Sequence, residues 1–440
     1  MKILICNNRY FPSSGPERYL FAMTALLERH GHTVVPFAAD YAQTLDTPYR
    51  RYFVPPPVDG ESIYFKQYKD RLTLRKRLDL TARAAYSPMV RRAAERVIRE
   101  ERIELVYLLN TVNVLSPSVV DAAHALGVPV VMRLSDFNLL CPAYAFLRDG
   151  HVCQECLGGY HHALRHRCLQ GSLAVTGARV LAMSIHRALG IYHRVGAFIA
   201  PSRYMAEQVE THFAPARGRV HHIPSFVDQT LLDALADLPT PTTGAPGASG
   251  RPYILFFGRV SPDKGVETLL RAYAGLEREV DLVIAGDSGD GYRQRMEALA
   301  AELGTAGTVR FVGFVSGAPL AELIAGALCV TAPSLWHDNA PMTVYESLAH
   351  GKAVVGSNLG GIAEQLEGGC GLTVPPGDPD ALRAALLRLV EEPELRAELE
   401  RAARSKALND YAPERHYERV MAVFDTVRGG KGRREPQPVA

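Results

Sequence analysis

Two acids eight positions apart are the residues whose types and spacing first suggest ligand binding in this chain. Asp338 precedes a predicted helix that ends at Gly351, and Glu346 lies within the first turns of that helix. Carboxylates at two depths along one helix can accept hydrogen bonds from two hydroxyl-bearing parts of the same ligand. Taken alone, the spacing favours a simpler interpretation, an ordinary capped helix with a solvated glutamate.

The predicted start of this helix has the features of an anion site. Asn339 is a favourable N-cap residue, and Pro341 suits the first turn. The backbone N–H groups of Ala340, Met342 and Thr343 would then be free, and they would point at a ligand together with the positive end of the helix dipole. Such a site suits a diphosphate.

Three further loops carry glycines or cations directly after predicted strands. Gly258 and Gly265 frame a loop that contains Arg259 and Lys264, two cations that can bind phosphate oxygens. The other two loops carry Gly286 with Gly289, and Gly360 with Gly361 and Glu364. Glycine lets a backbone approach a ligand closely, and four such loops in order indicate a ligand site rather than packing alone.

Short β-branched runs alternate with helical patterns, such as Glu17–His30, along the whole chain, which predicts an α/β fold of parallel sheets wrapped by helices. In the first half the predicted strands are Lys2–Cys6, Thr33–Ala38, Leu105–Leu109, Pro129–Leu134, Ala197–Pro201 and Val220–Ile223. In the second half they are Tyr253–Phe257, Asp281–Ala285, Val309–Val312, Leu328–Ala332, Ala353–Ser357 and Gly371–Val374. Ligands bind at the carboxyl ends of strands in open sheets of this kind, which is where the four loops lie.

The length of 440 residues predicts two domains. Residues 236–250 are rich in Pro, Gly, Thr and Ala, can bury little, and are the predicted linker. The linker separates an N-terminal domain, residues 1–235, from a C-terminal domain, residues 251–412. We expect the helix predicted over Glu414–Val427 to pack back on the N-terminal domain, and the tail, residues 428–440, to be disordered.

Composition excludes several classes of protein. The net charge is +2, with 49 basic and 47 acidic side chains, whereas a dedicated nucleic-acid binder would be far more basic. No apolar run approaches the length of a membrane span, and the segment Met1–Cys6 lacks the layout of a signal peptide. The odd count of seven cysteines argues for reduced thiols. We therefore expect a cytoplasmic protein that does not bind nucleic acid.

The loops of the second half closely resemble those of the GT4 family of retaining glycosyltransferases, and the resemblance extends over nearly the whole chain. It implies a GT-B fold, in which two Rossmann-like, doubly wound domains face a central cleft. It also implies that Arg259 and Lys264 bind the diphosphate of a nucleotide-sugar donor. The family's two acids fall on Asp338, which would contact the donor sugar, and Glu346, which would bind the ribose. Asp338 departs from the family pattern, because the family acid is a glutamate.

The first domain resembles the same family with two departures. Ser14–Glu17 resembles the family's Gly-Gly-x-Glu loop with Ser14 in place of the first glycine, and Gly15 would bring its N–H near the donor. The segment Arg133–Pro142 resembles one that usually reads His-Asp in the family, where the histidine helps to position the donor sugar or the developing charge. Ser135 stands in place of that histidine; it can donate a hydrogen bond but cannot carry a charge.

The resemblance further implies a front-face mechanism, in which the departing phosphate oxygen takes the acceptor proton. No catalytic metal is implied, since Arg259 and Lys264 take its place; the N-terminal domain would bind an acceptor that the sequence does not define. Two alternatives stay open. One is a sugar-nucleotide 2-epimerase of the same fold, and the other is a catalytically inert sugar-nucleotide-binding protein, suggested by Ser135 and Asp338.

Four cysteines within 28 residues, Cys141, Cys153, Cys156 and Cys168, form a candidate metal site. Zinc accepts the Cys153-x-x-Cys156 spacing, and four thiolates would make a closed structural site. Further candidate ligands are His151, His161, His162 and His166. The alternative is four reduced thiols, some of them packed as small apolar groups.

Residues 64–102 combine a dense set of basic side chains with apolar ones. Such a segment can lie on an anionic membrane, which would suit a lipid-linked acceptor at the inner membrane face. The alternative is a solvated helix face on which nearby acids offset part of the charge.

Overall fold

The computed structural model describes residues 1–13, 15–57, 73–112, 114–236, 250–276, 280–288 and 291–429. Its strands are β1 (Lys2–Asn7), β2 (Thr33–Phe37), β3 (Leu105–Asn110), β4 (Val130–Arg133), β5 (Leu147–Arg148), β6 (His151–Val152), β7 (Ala197–Ala200), β8 (Val220–His222), β9 (Tyr253–Phe257), β10 (Asp281–Ala285), β11 (Val309–Gly313), β12 (Cys329–Ala332), β13 (Val354–Ser357) and β14 (Gly371–Val374). Every strand predicted from the sequence is present, and its ends differ from the prediction by one residue at most. The antiparallel hairpin of β5 and β6 was not predicted, because two-residue strands leave no period in the sequence.

The helices follow the predicted alternation with the strands. They are α1 (Gly15–Arg29), α2 (Leu74–Ala85), α3 (Pro88–Glu100), α4 (Ser118–Ala125), α5 (His161–His166), α6 (Leu173–Ala188), α7 (Arg203–His212), α8 (Gln229–Ala236), α9 (Val266–Tyr273), α10 (Tyr292–Glu302), α11 (Ala318–Gly326), α12 (Met342–Ala349), α13 (Gly360–Leu366), α14 (Pro379–Glu391), α15 (Pro393–Asn409) and α16 (Pro413–Gly429). The sequence predictions for Ser14, Gly289 and residues 64–72, 237–249 and 430–440 lie outside the described residues.

The strands form two parallel six-stranded sheets, one in each half of the chain. The first has the order β2-β1-β3-β4-β7-β8 and the second β11-β10-β9-β12-β13-β14. In each sheet the direction of winding reverses next to the first strand, between β1 and β3 and between β9 and β12. Loops on either side of such a reversal diverge and leave a crevice at the carboxyl edge. The second sheet therefore places the loops after β9 and β12 on the two sides of one crevice.

Helices cover both faces of each sheet because alternate strand residues point in opposite directions. In β1, Ile3 and Ile5 pack with α1 and α16, whereas Leu4 and Cys6 pack on the other face with α3 and α4. The second sheet is arranged in the same way, with one apolar core on each face. A strand that is buried on both faces is apolar at every position, and for that reason the strands could be predicted from continuous apolar segments of the sequence.

The last helix, α16, lies on the first sheet although it follows the second in the chain. Val420, Val423 and Phe424 are buried in the core that contains Ile3 and Ile5. Glu414 at its start pairs with Arg29 and His30 at the end of α1. The chain thus crosses between the two sheets twice.

Helix α3 uses its apolar side within the protein. Val90, Ala94, Val97 and Ile98 are buried in the first core, whereas Met89 on the same helix is exposed. Contact of the basic segment with a membrane stays a prediction. Two bases of α3 form ion pairs along the helix, the half-buried Arg91 with Glu95 and the exposed Arg96 with Glu100. Among the described residues, no helix is both long and apolar enough to cross a bilayer.

Candidate functional site

Four loops at the carboxyl edge of the second sheet pack into one continuous surface, here named the loop cluster (residues 258–265, 286–288, 333–341 and 358–361). The backbone of Gly265 has φ +70°, and a Cβ there would lie 1.9 Å from the carbonyl oxygen of Pro333. A Cβ on Gly286, φ +155°, would lie 1.8 Å from the oxygen of Gly258. Gly265 and Gly286 therefore let neighbouring loops of the cluster approach each other. The closer approach of a ligand that we expected at these glycines stays a prediction.

The start of α12 differs from the prediction. The helix begins at Met342, and its N-cap is Pro341, which provides no side-chain cap. The Asn339 amide instead donates from Nδ2 to the carbonyl of Leu134 (3.0 Å) and accepts from the Ser202 hydroxyl (3.2 Å). The N-cap prediction was therefore wrong, because Asn339 satisfies polar groups of the N-terminal domain rather than its own helix.

The first turn of α12 nevertheless leaves donors unused. Within the described part of the chain, the backbone N–H groups of Ala340, Met342 and Thr343 have no hydrogen-bond partner. A Cβ built on Gly258 would lie 3.7 Å from Thr343, and one built on Gly15 would lie 3.8 Å from Met342. The helix start therefore faces both the loop after β9 and the start of α1, with its positive dipole end directed between the domains.

Lys264 and Asp338 form an ion pair across the crevice between the loops after β9 and β12. Asp338 is only 6% exposed, and its Oδ2 also accepts from the Ser334 hydroxyl at 3.4 Å. The Lys264 ammonium lies 5.4 Å from the centre of the Trp336 ring. Asp338 thus holds Lys264 in place at the edge of the loop cluster.

Arg259 is the second cation of the loop cluster. Its guanidinium donates to Ser261 Oγ (3.1 Å) and to Asp263 Oδ2 (2.7 Å). Burial by itself lowers the pKa of Arg259, but Asp263 and Tyr144 outweigh this effect and raise the pKa overall. Tyr144 belongs to the loop after β4, so Arg259 faces the N-terminal domain.

Glu346 forms an ion pair with Arg18, in the first turns of α1. Burial raises the pKa of Glu346, and Arg18 opposes that rise. Its second carboxylate oxygen, Oε2, is buried and has no partner among the described residues. One side of the carboxylate is therefore held from the N-terminal domain, and the other has an unused acceptor.

Ser135 lies just after β4, and its hydroxyl forms two hydrogen bonds. Its Oγ donates to the Leu109 carbonyl (3.2 Å) and accepts from Arg133 Nη1 (3.3 Å). The hydroxyl has one proton, and that proton is already given to Leu109. In this arrangement a hydrogen bond from Ser135 to a ligand would require the hydroxyl to turn away from Leu109.

The fold brings the four predicted metal-ligand cysteines into one neighbourhood. All four are free thiols, and Cys141 and Cys156 are buried. Burial, followed by the neighbouring Cys141, Cys168 and Cys153, raises the pKa of Cys156 to about 12. Within the described ranges, however, no group of three or more His, Cys, Asp or Glu side chains is arranged to hold a metal ion.

A groove of about 890 Å³ lies at the junction of the domains, and Tyr345 of α12 is part of its lining. Its lining includes Arg203 and Glu364 but none of the cations and acids described above. Glu364 accepts hydrogen bonds from the backbone N–H groups of Arg203 and Tyr204, both at 2.7 Å. Glu364, predicted to lie behind a ligand loop, instead connects the two domains at the start of α7.

Three residues near the loop cluster were not singled out from the sequence. Arg18 is bonded to Glu346, and Arg133 to Ser135. Trp336 is 8% exposed, and its indole Nε1 is buried without a partner among the described residues. Trp336 is the single tryptophan of the chain and lies two positions before a predicted site acid, which was the one available signal.

Residues 245–406 match the family model described as glycosyl transferases group 1. Over 215 residues the chain is 32% identical to a D-inositol 3-phosphate glycosyltransferase from Nocardiopsis dassonvillei, with 45% of this chain and 48% of that protein covered. The chain spans about half the length of the curated relatives it matches. These matches confirm the resemblance to the GT4 family.

Solved structures resemble the whole chain. Sucrose-phosphate synthase from Thermosynechococcus elongatus has a TM-score of 0.69 at 17% identity, with 98% of this chain and 99% of that chain covered. The Anabaena protein HepE, solved in complex with UDP-glucose, has a TM-score of 0.63 at 19% identity, with coverage of 97% and 100%. The predicted GT-B fold, two Rossmann-like domains facing a cleft, is therefore confirmed.

Proposed function

Since residues 245–406 match the family model of the group 1 glycosyl transferases and the chain has the GT-B fold, we propose that the protein is a retaining glycosyltransferase that moves a sugar from a nucleotide diphosphate to an acceptor. The observation that carries this proposal is the start of α12. Its N–H groups, unpartnered among the described residues, adjoin the loop cluster that carries Lys264 and Arg259, at the point where the winding of the second sheet reverses. Helix N–H groups beside two cations are suited to a diphosphate.

The acids of the site complete the donor-binding proposal. The unused Oε2 of Glu346 would accept from a ribose hydroxyl. Asp338 is hydrogen-bonded within the loop cluster and would act at the sugar end, next to Lys264. The nucleotide would thus lie along α12, with the diphosphate over the helix start and the transferring sugar toward the N-terminal domain.

We propose a front-face reaction. The bond between the sugar C1 and the leaving phosphate oxygen breaks, and the acceptor oxygen bonds to C1 from the same face. The acceptor proton passes to the departing phosphate oxygen. Arg259, Lys264 and the helix N–H groups would stabilise the leaving diphosphate by preorganised electrostatics, so no catalytic metal is required.

The proposal is tested by incubating the full chain with sugar nucleotides labelled in the sugar, with and without EDTA. Slow hydrolysis that retains the anomeric configuration and survives EDTA is expected. Inversion at C2 would identify the epimerase, and tight binding without turnover would identify the inert binding protein. Activity that EDTA abolishes and Mg²⁺ restores would contradict the metal-independent mechanism.

A matched pair of variants links this activity to the loop cluster. Lys264→Ala is expected to lower turnover at least about tenfold, because a charged hydrogen bond to the leaving group is worth about 1.5–3 kcal/mol. Arg271→Ala is the control, since Arg271 forms an exposed ion pair with Glu267 on α9. Near-normal turnover in Lys264→Ala would remove Lys264 from the donor site.

A further inference from the structure

Arg133 is a buried arginine at the end of β4. Its side chain is 8% exposed, and its guanidinium stacks on the Tyr19 ring at 3.9 Å. Nη2 donates to the Ser225 hydroxyl (2.7 Å), and Nη1 donates to Ser135 Oγ (3.3 Å). The guanidinium of Arg133 is therefore in contact with two neutral hydroxyls and the face of an aromatic ring.

No carboxylate within the described part of the chain forms an ion pair with Arg133. Arginine is almost never fully buried unless it is paired, because removing a charge from water costs several kcal/mol that a neutral hydroxyl only partly offsets. A buried cation of this kind needs an anion. The protein does not supply that anion from its described residues.

The position of Arg133 indicates where the anion would come from. The next residue, Leu134, accepts a hydrogen bond from Asn339 in the loop before α12. Burial raises the pKa of Tyr345, on α12 itself, and Arg133 is the strongest of the influences that oppose the rise. The same Ser225 that accepts from Arg133 donates from its backbone N–H to the Tyr345 hydroxyl (3.1 Å), so one residue links the guanidinium to α12.

The resemblance to the GT4 family implies that Ser135 stands in place of a histidine, and Arg133 donates a hydrogen bond to it. We propose that Arg133 supplies, through the end of β4, the positive charge that Ser135 cannot carry, and that its counter-ion is the diphosphate of the donor. This inference rests on the proposed function, and it identifies a charged residue of the N-terminal domain that completes the donor site.

The test measures the affinity of the full chain for inorganic pyrophosphate by calorimetry. Arg133→Gln keeps hydrogen-bonding groups near Ser135 and Ser225 but removes the charge, and it is expected to weaken pyrophosphate binding at least about tenfold. Arg133→Lys is expected to retain most of the affinity. The matched control is Arg187→Gln, since Arg187 also stacks on a tyrosine of the same domain, Tyr160, but is exposed.

A second pair of variants gives a signature that lost packing would not produce. Restoring the histidine, as Arg133→Gln with Ser135→His, is expected to regain affinity at about pH 6 and not at about pH 8, because imidazole is charged only below its pKa of about 6.5. Each measurement is compared with Arg133→Gln at the same pH, so that the ionisation of pyrophosphate cancels.

The titratable groups that face Arg133 do not interfere with this signature. They are Tyr19 on α1, Tyr107 on β3, Tyr345 on α12 and His416 on α16. Burial raises the pKa of each tyrosine and lowers the pKa of His416 to about 3. None of them changes charge between the two pH values.

Ser135→Asp extends the test if Arg133→Gln does not fold. It gives Arg133 an internal counter-ion, and pyrophosphate affinity is expected to fall at least about tenfold. Parent-like affinity in Arg133→Gln, or in Ser135→Asp, would overturn the inference about Arg133 while Lys264→Ala still lost binding. Parent-like affinity in Lys264→Ala as well would instead overturn the proposed function of the whole site.

Discussion

Both acids of the candidate site are paired with cations, but the cations come from different domains. Asp338 pairs with Lys264 in its own domain, whereas Glu346 pairs with Arg18 on α1. Burial raises the pKa of Glu346, the Arg18 guanidinium opposes the rise, and the nearby Asp228 adds to it. The charge of Glu346, the acid that we propose binds the ribose, therefore depends on a contact with the N-terminal domain.

This dependence predicts how Glu346 responds to substitution and to pH. Glu346→Gln is expected to raise the donor KM at neutral pH at least about tenfold, because a neutral amide loses a charge-assisted hydrogen bond worth about 1.5–3 kcal/mol. In the parent, the donor KM should rise as the pH falls through the raised pKa of Glu346, since the carboxylate becomes neutral. This rise in KM at low pH is the acid limb of the pH profile, and it should be absent in Glu346→Gln. Steady-state kinetics between about pH 5 and 8 measure both effects.

Arg18→Leu tests the cause of the acid limb. Without the guanidinium, burial and Asp228 raise the pKa of Glu346 further, so the limb should move to higher pH. Arg29→Leu is the control on the same helix, because Arg29 forms an exposed pair with Glu414. A parent-like donor KM in Glu346→Gln would show that this acid does not bind the ribose.

The loops of the site contain glycines at points where the backbones of neighbouring loops lie too close together for a Cβ atom. A Cβ on Gly361, at the start of α13, would lie 2.2 Å from the carbonyl oxygen of Asn339. The N–H of Gly361 donates to the Asp338 carbonyl at 2.8 Å. The second glycine of the pair thus fixes the segment that carries the site acid.

Gly361→Ala is therefore expected to displace the loop before α12. The expected cost is about 1–3 kcal/mol in the free energy of unfolding, the usual cost of forcing a methyl group into a packed contact, together with a raised donor KM. Gly307→Ala is the control, because a Cβ there meets nothing within 4 Å. Urea unfolding and donor kinetics check both variants, and a stable Gly361→Ala with parent-like KM would contradict this account of the loop cluster.

At the scale of the whole molecule, the domains are joined by hydrogen bonds beside the cleft. Glu364 accepts from two backbone N–H groups at the start of α7, and Asn339 bonds to Leu134 and Ser202. A carboxylate at a helix start is favoured by the helix dipole as well as by its hydrogen bonds. Glu364 is therefore the side chain expected to matter most for the closed arrangement.

Glu364→Ala should open the cleft. We expect a larger radius of gyration in small-angle scattering and a lower turnover, because the two domains would meet around the substrates less often. The control is Glu367→Ala, which removes an exposed ion pair with Arg203 at the same junction. Unchanged scattering and turnover in Glu364→Ala would show that the two domains are held together by other contacts.

The sequence by itself determined the positions of the strands, their burial on both faces and the loops that follow them. A strand such as Tyr253–Phe257 is apolar at every position because both its faces are covered, and that pattern is local. Arg259 and Lys264 could be singled out for the same reason, since they directly follow a strand whose carboxyl end had to face a ligand. Local patterns of burial and turn chemistry carry this information.

Only the tertiary structure decided which side chains meet across the cleft. Asn339 has the local signal of an N-cap, yet it bonds to Leu134 in the other domain. The pairing of Arg18 with Glu346 joins residues 328 positions apart, and no periodicity connects them. The strand end that carries Arg133 has no distinctive local pattern, and Arg133 is set apart by its burial without an acid partner among the residues that the structure describes. Such contacts depend on how two separately specified domains close on each other, and neither spacing nor composition encodes that geometry.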